Sequence, residues 1–120
     1  MSAITEAEIT DRRLDVIAHA REVLERAVSE CLAWRGPRHG GYLRVTAAMA
    51  ALEGALRGVD TATCEEDKDH TVRLCAHWSV RVVAVVEDVM GREAACYVAC
   101  GQDGSEDMFM SGESEEGEAA

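Results

Sequence analysis

The sequence predicts an all-α fold, a small three-helix antiparallel bundle followed by an acidic C-terminal tail. Three observations carry that expectation. Apolar residues recur at a 3-4 spacing through the first third of the chain. Aromatics make up only 4% of 120 residues while Ala and Val are abundant, so the core must be built from small side chains in close contact. Beyond Gly101 the composition turns to Gly, Ser and Glu, too polar to fold alone. A chain of this length holds one domain. The folded domain is therefore expected at 1–101, with a disordered acidic tail at 102–120.

The first helix is expected to begin at Thr5-Glu6-Ala7-Glu8, a capping-box pattern in which Thr5 accepts from an orphan amide and Glu8 reaches back. Ile9, Val16, Ile17, Ala20, Val23, Leu24, Ala27, Val28, Cys31 and Leu32 form its apolar face. Asp11, Asp15, His19, Glu22 and Arg26 occupy the other face, and Gly36-Pro37 ends the helix. Arg35-Gly-Pro-Arg-His-Gly-Gly41 reads as a turn. A second helix is expected from about Tyr42 to Leu56, with Leu43, Ala47, Ala50, Ala51 and Leu52 inward and Gly58 as its stop.

Residues 70–100 admit two readings. Thr71 to Val82 alternates as a strand would, with Val72, Leu74, Ala76, Trp78, Val80 and Val82 on one side, and Met90-Gly91 would turn the chain into a second strand. That is the α+β alternative: two helices on a small antiparallel sheet from residues 60–100. The uninterrupted run is long for a strand. As a helix, it gathers Arg73, His77, Arg81, Asp88 and Arg92 on one side, and Gly101 supplies a C-terminal stop. Length favours the helix, packed antiparallel to the first with the second bridging them.

Charge narrows the function classes. The net charge of −11 argues against direct nucleic-acid binding, which needs a basic surface. Arg73, His77 and Arg81 interrupt the most apolar region, so no membrane span is expected, and Met-Ser-Ala-Ile-Thr-Glu lacks the form of a signal peptide. Residues 102–120 contain seven acids and no base. From Cys31 to Leu52 there are three Arg, one His and no acid, whereas Asp60 to Asp69 holds five acids against Lys68. The two segments are expected at opposite ends of the molecule.

Five Cys without a signal peptide point to free thiols in the reducing cytoplasm. Cys75, His77, Cys96 and Cys100 are the residues that would bind zinc or act as a redox sensor, with Cys96 and Cys100 one helical turn apart. No zinc-finger spacing occurs, and the default expectation is buried thiols without a cofactor. Asp15, His19 and Glu22 share a helix face, but no Glu-x-x-His pair is present and Ser79 lacks an elbow or an orienting acid. The sequence gives an enzyme weak support. The Arg35–Gly41 turn resembles an anion cradle only in its Gly content, because it lacks the Lys-Ser/Thr of a P-loop.

The expected function is a non-enzymatic protein-interaction module, an adaptor, regulator or inhibitor that recognises a basic protein surface, in the inhibitor case by mimicking nucleic-acid charge. Partner-binding residues are expected at Trp34, Arg35 and Arg38, residue types enriched at hot spots, and at Asp107, Met108, Phe109 and Met110, an apolar anchor within the acidic tail. A homodimer is expected to cover the apolar strip that three Ala-rich helices leave. The alternative is the thiol-based metal or redox regulator.

Overall fold

The computed structural model describes residues 6–101. Among the described residues four helices follow one another: α1 (Glu6–Ala33), α2 (Gly40–Thr61), α3 (Glu65–Met90) and α4 (Arg92–Cys100). No strand occurs among the described residues, so the α+β alternative is set aside. Thr5, where the capping box was expected, and the tail at 102–120 lie outside the described residues.

The long α1 ends where the sequence breaks its apolar repeat. Ala33 is its last residue, and the Trp34 amide closes a final turn on the Cys31 carbonyl (3.3 Å) ahead of Gly36-Pro37. At the start of α2, the His39 ring accepts from the Gly41 amide through Nδ1 (2.8 Å), a side-chain cap on an orphan N–H. One of the amides that a Gly-rich anion cradle would offer is thereby occupied.

The second helix is longer than its sequence suggests. It runs through Gly54 and Gly58 to Thr61, although a stop was expected at Gly58. Two close approaches explain the Gly positions near its ends. A Cβ on Gly41 would lie 3.0 Å from Val89 Cγ2, and one on Gly58 would lie 2.9 Å from Thr71 Cγ2. Both contacts are with α3, so the missing side chains let the two helices approach at either end of their contact. The inward face also differs from expectation. Tyr42, Val45, Ala48, Leu52, Ala55 and Leu56 are buried, while Leu43, Ala47 and Ala50 face outward.

Residues 70–100 are helical but not in one piece, which brings the helix count to four rather than three. Gly91 takes φ +103° and ψ 170°, a conformation essentially confined to glycine, and separates α3 from α4. The acids of the 60–69 segment open α3. Cys64 is its N-cap residue, and Glu65, Glu66 and Asp67 occupy the first turn, where carboxylates meet the positive end of the helix dipole. Asp67-Lys68-Asp69-His70 is accordingly helical. Gly101 ends α4 as expected, in a left-handed conformation (φ +75°) with its amide on the Tyr97 carbonyl at 2.7 Å.

The helices run up, down and up, so α1 and α3 lie parallel rather than antiparallel. Arg13 near the start of α1 bonds Glu65 and Asp69 at the start of α3, and Gly41 at the start of α2 meets Val89 near the end of α3. The Arg-rich connection at 34–39 and the short connection at 62–64 therefore sit at opposite ends. Small side chains fill the core. Ala20, Val23 and Ala27 of α1 join Val45, Ala48 and Leu52 of α2, Cys75, Val82 and Val86 of α3, and Ala95 and Val98 of α4. Burying a Val or Leu side chain stabilises the fold by about 1.5–3 kcal/mol. The buried Ser79 hydroxyl donates to the Cys75 carbonyl one turn back (2.7 Å), so it carries no orphan polar group into the core.

Candidate interaction groove

A groove of about 520 Å³ lies where the first half of α1, the end of α2 and the start of α3 meet. Ile9, Leu14 and Ile17 of α1, Val59 of α2 and Val72 of α3 give it apolar walls. Leu14 is 57% exposed. Arg13, Glu65 and Lys68 form the polar margin. A smaller depression of about 280 Å³ lies between α1 and α2, lined by Leu24 and Leu56 with charged residues around them.

Arg13 builds the wall between α1 and α3. Its Nε and Nη2 donate to Asp69 Oδ1 (3.0 and 2.5 Å), and its Nη1 donates to Glu65 Oε1 (2.8 Å). These bonds hold the Glu65 carboxyl below the usual carboxylate range and push the Arg13 guanidinium up. Arg21 faces Asp60 at 3.8 Å further along, and Lys68 faces Glu65 at 3.8 Å. Asp11, Asp15, Glu66 and Asp67 are exposed in the segments around the groove, so this end carries more acid than base.

The residues expected from the sequence lie elsewhere. Trp34 is half-buried, its Nε1 donates to the Pro37 carbonyl (3.2 Å), and its ring covers Gly36 so closely that a Cβ there would collide with it. Arg35 and Arg38 are exposed. The Arg38 guanidinium lies 4.6 Å from the Tyr42 ring centroid and donates to its hydroxyl (2.7 Å), which in turn donates to the Cys31 carbonyl (3.4 Å). These contacts hold the Arg38 end of the connection against the top of α2. Asp107, Met108, Phe109 and Met110 lie outside the described residues.

The candidate metal ligands lie on α3 and α4. Cys75 is buried in α3, and His77 two positions on is exposed and stacked edge-on against Trp78. Cys96 is half-buried and Cys100 exposed on α4. Among the described residues no three His, Cys, Asp or Glu side chains come together as a metal ion would require. Asp15, His19 and Glu22 are all exposed on α1. Burial pushes the Cys31 and Cys75 thiols up, away from the reactive thiolate.

Sequence reasoning placed Ile9 and Ile17 on the apolar face of α1 and Val72 on the apolar side of a strand, but passed over Leu14 and Val59. The available signal was Leu14, an apolar residue set off the α1 stripe. No described helix is long and apolar enough to cross a membrane. Comparison with protein-family models, curated proteins and solved structures finds no match for this chain.

Proposed function

We propose that this chain is a non-enzymatic interaction module that receives an amphipathic, basic helix of a partner protein in the groove between α1, α2 and α3. The observation that carries this reading is the groove itself, with exposed Leu14 among apolar walls and acids in the segments around it. An apolar helix face would fill the walls, and its Lys or Arg flanks would meet the acidic end of the bundle. The excess of negative charge raises the rate of encounter with such a partner. Adaptor, regulator and inhibitor share this physical act.

The test uses a synthetic Leu/Lys amphipathic helix as probe, with a Leu/Glu helix of the same length as control. The Leu/Lys peptide is expected to bind, with affinity falling as salt rises, and the Leu/Glu peptide is expected not to. Leu14→Ser should weaken binding roughly 10-fold, the ratio that corresponds to ~1.4 kcal/mol. Val80→Ser, at an exposed apolar position outside the groove, should leave it unchanged. Equal effects of the two substitutions would overturn the assignment.

A further inference from the structure

The end of the bundle opposite the groove has its own complement within the chain. Leu32 and Leu43, 75% and 62% exposed, bracket the connection that carries Arg35 and Arg38. Among the described residues neither of these arginines is paired with a carboxylate, and the whole stretch from Cys31 to Leu52 contains no acid. Exposed leucines at either end of the connection, and arginines without a carboxylate partner within it, suit an acidic chain with a short apolar core.

The C-terminal segment has that chemistry. Asp103, Glu106 and Asp107 precede Met108-Phe109-Met110, and no base occurs beyond residue 101. The segment also starts in the right place. Gly101 lies beside Arg26, a Cβ there being 2.8 Å from Arg26 Nη1, and Arg26 Nη1 donates to the Tyr97 carbonyl. Leu32 lies about one and two-thirds turns beyond Arg26, ~9 Å along α1. The seven residues from Gly101 to Met108 reach up to ~24 Å when extended. The groove near Arg13 is a poorer destination, ~20 Å from Arg26 in the other direction along α1 and set among acids.

We infer that Met108-Phe109-Met110 docks within the same chain on the Leu32 and Leu43 surface, with Asp103, Glu106 and Asp107 facing Arg35 and Arg38. The contact covers the exposed leucines and gives Arg35 and Arg38 carboxylate partners. It leaves the groove open, so it stands whether or not the groove receives a partner helix.

The experiment is ¹⁵N NMR on the full chain at low salt, comparing the native sequence with Phe109→Ser and with an Arg35→Glu/Arg38→Glu double substitution. The native chain should show amides 107–111 more ordered on the nanosecond scale than amides 115–120. Either variant should abolish that difference, and Phe109→Ser should shift the amides of 32–43 while leaving those of 9–17 in place. Salt near 1 M, where the Debye length is ~3 Å, should weaken the contact. Equal mobility of 107–111 and 115–120 in the native chain would overturn the inference. So would shifts that grow with protein concentration, because those assign the surface to a second copy, and so would shifts confined to the groove.

Discussion

Arg13 of α1 donates from Nη1 to Glu65 Oε1 of α3 at 2.8 Å, across 52 positions of sequence. With the bonds to Asp69, this contact fixes the starts of two parallel helices side by side and closes one wall of the groove. Its pH dependence follows from the lowered Glu65 carboxyl. A depressed carboxyl stabilises the fold fully above its unfolded value, about 4.3, and that stabilisation is lost as pH falls through the lower folded value. Thermal melts from neutral pH down to about pH 3 should therefore show an acid-side loss in the native chain that Arg13→Met reduces.

Gly54 and Gly58 share one helix and should respond unequally to a methyl group. A Cβ at Gly54 meets nothing within 4 Å, so Gly54→Ala should stabilise α2 by about 0.5–1 kcal/mol. At Gly58 the methyl would crowd Thr71 Cγ2, and the Thr71 hydroxyl is held by the Asp67 carbonyl at 2.9 Å. Denaturant midpoints should rise for Gly54→Ala and fall short of that gain for Gly58→Ala.

Gly91 is the joint between α3 and α4. Its φ of +103° strains any side chain, so Gly91→Ala should cost about 1–3 kcal/mol in a denaturant titration. A stability equal to the native chain would mean that α3 and α4 tolerate a different junction.

The five thiols should separate by burial. Brief treatment with iodoacetamide followed by mass spectrometry should label Cys64 and Cys100 first and spare Cys31 and Cys75 until the chain unfolds. Burial raises both protected thiols, so their contribution to stability is complete below the ordinary thiol value of about 8.5 and declines as pH rises above it.

The parts of the fold legible in the sequence are those where one signal dominates. In α1 an uninterrupted apolar repeat runs from Ile9 to Leu32 before Gly36-Pro37, and Ala20, Val23, Ala27 and Cys31 of that face are buried while Ile9, Val28 and Leu32 are exposed. Gly101 was equally plain, a glycine at the end of an Ala-rich helix. In α2 the signal fades because alanine occupies both faces. Ala48 and Ala55 are buried, Ala47 and Ala50 exposed, and only the packing of Tyr42 and Val45 decides that Leu43 points outward.

Charge misled in α3, where Glu65, Glu66 and Asp67 suggest a solvated loop by composition yet suit a helix N-terminus by dipole. Gly91 breaks the last helical region through its backbone angle, which a lone glycine in a helical pattern does not announce. The groove was not legible, because Leu14, Val59 and Val72 come together only through the parallel placement of α1 and α3 and the end of α2 beside them.

The most direct test of the groove as a docking site is an NMR titration of the full chain with the Leu/Lys amphipathic helix at low salt. The predicted result is saturable shifts at Ile9, Leu14, Ile17, Val59 and Val72, with little change at Leu32 or Val80. Saturable binding with shifts spread evenly over the exposed acids, or with none at the groove residues, would contradict it.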